Sequence, residues 1–304
     1  MPSQTELRQQ ITDRIIESLQ SGQLSPWRKP WKSNGPHHNV VSHRSYSGVN
    51  PLLLEISSQR FGFTSSLWGT FKQWKELGGF VKRRPANVKP GQWGTSIVFT
   101  RAVTKTTTAQ DGTEDESTFW MLKNYTVFNL DQVDGPFDHL RPQNDESTNL
   151  FERYEQGDAL IEASGADIRT GSQAAYIPSC DFITLPPKES FDSAPDYYET
   201  AFHELTHWTE PPHRLNWNRK GEGYAMGELI AEMGACFLCN ELGIPFAESL
   251  ENHAAYVGNW AKKLHDAVQI DPSFIMKAST QASKVTDYLL SFSPTHAEES
   301  AMVM

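Results

Sequence analysis

The sequence predicts an α+β protein built in two parts. Three observations lead there: helical periodicity recurs at both ends of the chain, strand-like runs cluster between residues 78 and 130, and the two halves carry opposite charge. Of 304 residues, 38% are hydrophobic and 21% charged, the balance of a folded chain rather than a disordered one. Residues 1–130 hold 16 Lys and Arg against 9 Asp and Glu, a balance of +7. Residues 131–304 hold the other 11 basic and 28 acidic residues, a balance of −17, and the whole chain stands at −10. Such asymmetry fits two modules, the first suited to a polyanion; it fits equally two surfaces that attract each other.

Each element has its own local reason. TELRQQITDRIIESLQ (5–20) sets Leu7, Ile11, Ile15, Ile16 and Leu19 at helical spacing, with Thr5 as a cap. Pro26 and Pro30 in PWRKPW prevent the helix from continuing. SHRSYSGVNPLLLEISSQRFGF reads as a loop feeding a short helix, and TFKQWKELGG as a helix stopped by its glycine pair. GGFVKRR, TSIVFTRAV and FWMLKNYTVFNL are rich in β-branched and aromatic residues and predict a small antiparallel sheet. Between the last two, TKTTTAQDGTEDEST predicts an exposed hairpin loop. DQVDGPFDHLRPQNDEST (131–148) is polar and broken by Gly and Pro, which sets the expected domains at 1–135 and 149–304 with a linker at 136–148. In the second domain, residues 149–166 read as a helix and AAYIPSCDFITLPP as short strands. Further helices are expected at about 195–209, 223–241, 248–267 and 272–291.

Several classes are excluded. No apolar run approaches the ~20 residues of a membrane span, so a membrane is not an expected partner. MPSQTELRQQITD is polar and lacks a signal-peptide core, and three cysteines give no disulfide framework; the expected location is the cytoplasm. Cys236 and Cys239 fall inside an apolar helical pattern and are expected in the core.

The strongest chemical signal is AFHELTHWTE at 201–210. On a helix, His203 and His207 lie one turn apart on one face and can aim both imidazoles at one ion. Glu204 beside them is placed to act as general base on a water activated by the metal. Catalytic zinc usually takes a third protein ligand. YAMGELIAEMGACFLC supplies Glu228 and Glu232, 21 and 25 residues after His207, in a segment otherwise too apolar to bury an unpaired carboxylate cheaply. PPHRLNWNRKGEG leaves room for the chain to reverse, so the two helices can pack antiparallel. Spacing alone leaves the two acids interchangeable. The pattern resembles the glutamate-type zincins, and by that resemblance Glu228 is the third ligand and Glu232 accepts a hydrogen bond from a ligand imidazole. Zinc is the expected ion, with another divalent metal as the alternative. YIPSCDFITLPP is the expected edge strand for a peptide substrate. His213, Arg214 and Tyr224 are candidates to stabilise an oxyanion, and spacing does not choose among them.

In the N-terminal half, tryptophans alternate with basic residues in PWRKPWK and SLWGTFKQWKELGGFVKRRPANVKPGQW. Single-stranded nucleic acid is held by aromatic platforms and a basic groove. Trp27, Trp31, Tyr46, Trp68, Trp74 and Trp93 are candidate platforms; Lys29, Lys32, Arg44, Lys72, Lys75, Lys82, Arg83 and Arg84 are candidate phosphate contacts.

SYSGVNPLLL, WGTFKQWKELGGFVKR and YTVFNLDQVDG resemble the N-terminal domain of ArdC-type antirestriction proteins, which is shared with plasmid TraC-type primases. AFHELTHWTEPPHRLNW and GYAMGELIAEMGACFLCNELGI resemble the zincin-like metallopeptidase domain that follows it there. The resemblance runs from about residue 5 to 292. It implies a plasmid- or phage-encoded protein that binds single-stranded DNA without sequence preference and protects incoming DNA from host type I restriction during conjugation. Two functional readings follow. In one, a DNA-coating protein shields entering strands. In the other, a zinc peptidase is localised by DNA and cuts proteins there, its partner being a host restriction enzyme or another protein substrate.

Overall fold

The computed structural model describes residues 4–20, 36–108, 114–140, 150–217, 223–245, 267–268, 270–271 and 273–293. The expected helix at 248–267 falls almost wholly outside them.

In the N-terminal half, helix α1 (Gln4–Gln20) precedes a four-stranded sheet. Strands β1 (His38–Asn39), β2 (Leu67–Thr70), β4 (Thr95–Thr108) and β5 (Glu114–Asn129) stand in the order β1-β2-β5-β4, with β1 and β2 parallel and the other pairs antiparallel. Helix α2 (Asn50–Phe61) lies against the outer edge of β4, where the Asn50 side chain accepts from the Val98 N–H (2.9 Å) and donates to its carbonyl (2.8 Å). Asn50 thus satisfies edge groups that would otherwise invite another strand. Helix α3 (Phe71–Glu76) starts directly from β2. Thr70 Oγ1 accepts from the Gln73 N–H (3.2 Å) and Gln73 Oε1 from the Thr70 N–H (2.8 Å), a reciprocal capping box. Two short strands, β3 (Phe80–Val81) and β6 (Val133–Asp134), pair antiparallel beside the sheet.

The C-terminal half opens with helix α4 (Leu150–Ala163), then strands β7 (Asp167–Thr170), β8 (Ala175–Ile177) and β9 (Phe182–Leu185) in the order β7-β9-β8. Helices α5 (Ala194–Trp208), α6 (Tyr224–Glu241) and α7 (Phe274–Leu290) follow. The largest buried cluster draws on both halves. It joins Ile11 and Ile15 of α1, Leu52 and Leu53 of α2 and Val98 of β4 to Phe202 and Leu205 of α5, Met233 of α6 and Leu289 of α7. Two serines of α7 clamp the turn before α2: Ser279 Oγ donates to the Gly48 carbonyl (2.6 Å), and the Gly48 N–H donates to Ser283 Oγ (2.8 Å). Gly48 sits at φ +65°, a conformation that favours glycine. Cys236 and Cys239 are buried in this core.

Two expectations need correction. TKTTTAQDGTEDEST is not a loop throughout, since Thr104–Thr108 pair in register with Thr118–Glu114 and lengthen the hairpin; its run of β-branched threonines suits a strand despite its polarity. Trp74 and Trp68 are not stacking platforms, since both are fully buried, and Tyr46 is nearly so. Trp74 packs with Val40, Leu130, Val133 and Phe137 and donates its indole N–H to the Phe128 carbonyl (2.9 Å). Trp68 packs with Tyr46, Leu54, Ile97 and Val127 and donates to His37 Nδ1 (3.0 Å). Trp74→Ala should therefore act on folding, costing about 3–5 kcal/mol in urea denaturation; a loss near zero would contradict its core position.

Candidate metal centre and nucleic-acid surface

Helix α5 begins after Ser193, whose hydroxyl accepts the Asp196 N–H (3.3 Å), with a proline in its first turn where the missing N–H costs nothing. Its buried face, Tyr198, Ala201, Phe202 and Leu205, turns His203, Glu204 and His207 toward α6 and β8. Helix α6 is buried along almost its whole length, including Glu232. The helices approach closely because position 234 is glycine: a Cβ there would lie 2.6 Å from Thr206 Oγ1.

The contact brings three ligand atoms together. His203 Nε2 lies 3.6 Å from Glu228 Oε2, His207 Nε2 lies 3.6 Å from Glu228 Oε1, and all three ligand atoms fall within 4.8 Å of one another. Two ligands at about 2.0–2.1 Å from one tetrahedral ion lie roughly 3.3–3.4 Å apart, so two neutral imidazoles and a carboxylate fit a divalent metal here in both chemistry and spacing. The outer ring nitrogens face carboxylates too. His203 Nδ1 is 3.6 Å from Glu232 Oε2, and His207 Nδ1 is 2.6 Å from Glu210 Oε1. A carboxylate on the far nitrogen fixes the tautomer and ring orientation a metal ligand needs. His207 is held further by stacking on Trp217 (6.1 Å between centroids, 27°). Burial opposes a charge on His203, but Glu228 and Glu232 overcome it and raise its pKa to about 10. The pocket is thus built for positive charge, from a proton or a metal ion.

Glu204 lies beside the trio, and its Oε2 accepts the Tyr176 N–H (2.7 Å) from edge strand β8. The strand expected to flank the site therefore touches the candidate base. Of the three oxyanion candidates, Arg214 is engaged elsewhere. Its guanidinium makes a two-pronged pair with Asp181 (2.8 and 2.7 Å) and lies 3.6 Å over the Trp208 ring. That pair lowers the Asp181 carboxyl pKa. His213 is exposed, 3.6 Å from Asp181, and Tyr224 is exposed one turn before Glu228. Glu210 is the residue that sequence reading missed. Its three-residue spacing from His207, just past the helix end, was the available signal.

The predicted DNA contacts are scattered. Trp27, Lys29, Trp31 and Lys32 lie outside the described residues. Arg44, Lys72, Lys75, Lys82, Arg83 and Arg84 are all exposed. Lys72 pairs with Glu76 (3.6 Å) and Lys82 with Asp134 (3.7 Å), while Arg84 donates to the Pro85 and Val88 carbonyls. Trp93 is half-buried, packed on Phe61 and Phe63, and donates to the Lys82 carbonyl (2.9 Å).

Comparison with known proteins agrees with this architecture. Residues 5–128 match the family model described as the N-terminal domain of anti-restriction factor ArdC, and residues 155–281 match that of a zincin-like metallopeptidase. The crystal structure of the antirestriction ArdC protein from plasmid R388, in its metal-free form, is 36% identical, covers 95% of this chain and 98% of its own, and superposes with a TM-score of 0.73. The chain belongs to the ArdC antirestriction family. The Mn(II)-bound form of the R388 protein superposes at a TM-score of 0.68. Among other relatives of this ArdC-type chain, a DNA primase TraC of Escherichia coli is 34% identical over 96% of the chain, which spans only 28% of that protein's length. The protein y4eC of Sinorhizobium fredii is 31% identical over 97% of the chain and 93% of its own length. No described helix is long and apolar enough to cross a membrane.

Two measurements test the centre. Glu210→Gln should weaken metal affinity about 10- to 100-fold by freeing the His207 ring; metal titration giving wild-type affinity would remove that role. Because His203 binds metal only when neutral and its metal-free pKa is raised to about 10, protons compete with metal across the neutral range. Apparent affinity should fall by about tenfold for each pH unit lowered between 8 and 6 from this proton alone; a flat profile would contradict the competition.

Proposed function

We propose that this ArdC-family protein binds single-stranded DNA without sequence preference through its N-terminal half. In the cytoplasm, it protects incoming plasmid DNA from host type I restriction during conjugation. The observation that carries the reading is the match over 95% of the chain, with both family domains in order, to the R388 antirestriction protein. The excess of basic residues in residues 1–130 and the exposure of Arg44, Lys72, Arg83 and Arg84 support a polyanionic partner.

The metal site is read as a zinc centre held by His203, His207 and Glu228, with Glu232 and Glu210 orienting the imidazoles. Zinc bound there supplies Lewis-acid polarisation of a carbonyl and a water activated near neutral pH. Glu204 would be the group that takes the proton from an attacking water and returns it to the leaving amine. Its hydrogen bond from β8 supports a second reading, because it sets the base beside a strand that could align an extended peptide. In that reading the protein is a zinc-dependent protease acting on a restriction enzyme or another DNA-associated protein, and DNA binding serves to localise it.

Binding of a short unpaired oligonucleotide should weaken with salt, with a log–log slope of about −0.7 for each phosphate contact. Salt-independent affinity, or equal affinity for duplex, would end the single-strand reading. Glu204→Gln separates the two roles of the metal domain. It should retain metal and abolish any hydrolysis, and plasmid transfer into a restricting host then decides: full protection by the variant rules out proteolysis as the cause, and loss of protection makes it the cause.

A further inference from the structure

Of the tryptophans that the sequence nominates, Trp68 and Trp74 are core and Trp93 is half-buried, which leaves open where a nucleic-acid base would stack among the described residues. The face of the four-stranded sheet supplies a different aromatic group. Directly paired residues share a face in an antiparallel ladder, as do residues two apart. Phe99 pairs with Lys123, and Ile97 with Tyr125. Ile97 and Val127 are buried against Trp68, Tyr46 and Leu54, so this face begins as core and emerges into solvent at Phe99 and Tyr125. Phe99 is 46% exposed, Tyr125 37% and Met121, four residues from Tyr125 along the strand, 38%. The rings of Phe99 and Tyr125 meet edge to face at 5.6 Å, and Tyr46 backs Phe99 at 6.5 Å. Lys123 sets its ammonium 5.2 Å over the Tyr125 ring.

We propose that Phe99 and Tyr125, with Lys123 between them, form a base-stacking platform for single-stranded nucleic acid on the face of this sheet. The inference rests on the DNA-binding reading above and gives it a location. Charge selects the occupant. Over residues 95–108 and 117–129 the two strands carry Arg101, Lys105 and Lys123 and no acidic residue. The acids of the hairpin begin at Glu116, seven residues along the strand from Lys123 and so about 23 Å away. A protein surface of ordinary composition gains little from such a patch, whereas a nucleotide uses both parts, stacking its base on a ring and setting its phosphate beside the ammonium. The rings are presented by a continuous ladder and backed by buried side chains, so little conformational freedom is lost when a base settles on them.

Fluorescence anisotropy of a short labelled oligothymidylate tests this on the full-length protein. Phe99→Ala with Tyr125→Ala should weaken binding by roughly 5- to 150-fold for each ring that carries a base. Lys123→Ala should lower the salt slope by about 0.7. Phe99→Trp with Tyr125→Trp should keep wild-type affinity. Phe80→Ala, an even more exposed aromatic on the separate β3–β6 pair, should change nothing. Thermal melts check that the variants fold; the rings are exposed, so the midpoint should move little. Wild-type binding with an unaffected double variant would overturn the platform and leave the DNA reading standing. Absence of binding by the wild type would overturn both. If the double variant binds DNA normally but turns a wild-type dimer into a monomer in sedimentation, the face is an interface between copies and the proposal fails.

Discussion

Placing carboxylates on a helix that is buried along nearly its whole length is the constraint on which the rest of this structure turns. A lone buried carboxylate costs several kcal/mol, and a protein meets that cost by pairing it or by protonating it. Helix α6 carries Glu228 and Glu232 through an apolar interior, and α5 answers with His203 and His207 at 3.6 Å. The answer works only if the helices touch, which requires glycine at 234 against Thr206. The apolar face of α5, the small residue on α6 and the charged cluster are therefore one solution. A metal centre is its natural completion, because a dication does for these carboxylates what one imidazolium does incompletely.

The same core reaches across the chain. Leu52, Leu53 and Val98 pack into the cluster that contains α5 and α6, and Gly48 is clamped by Ser279 and Ser283 from α7. A ligand that binds only the folded state stabilises everything folded with it, by RT ln(1 + [L]/Kd). Metal bound between α5 and α6 would thus stabilise the core that anchors β4. The C-terminal half can support the N-terminal half without performing any chemistry.

Much of the site could be read from the sequence, because its spacing is that of one helical turn. His203, Glu204 and His207 need only a helix to converge, and that helix follows from its periodic apolar face. The third ligand is a tertiary matter. Glu228 and Glu232 are alike in sequence, and His213 also stands at a spacing known among metalloproteases. Chain packing decides among them: the ligand atoms of His203, His207 and Glu228 converge, the helix ends at Trp208, Arg214 is drawn to Asp181, and His213 is left exposed near that acid. Glu210 escaped notice because its role depends on where α5 stops. In the N-terminal half the error had a different origin. Tryptophan beside lysine looks like a nucleic-acid contact, yet successive residues of a strand or helix turn point different ways. In FKQWKE the lysines face water while Trp74 fills the core. Composition reports the neighbourhood, and only the alternation of faces reports the direction.

That distinction also bears on the charge asymmetry. Opposite charges in the two halves could have served to hold the halves together. Among the described residues, the junction between them includes many apolar side chains and two serine hydrogen bonds. Arg44, Lys72, Arg83, Arg84 and Lys123 stay exposed on the first half, and an apolar junction does nothing to neutralise them. Surface charge of one sign aids solubility but raises self-repulsion in the folded state, a cost that is relieved when something outside the chain carries the opposite sign. A polyanion does, and because its charges come at regular intervals, a spread of exposed basic residues suits it better than a single deep pocket would.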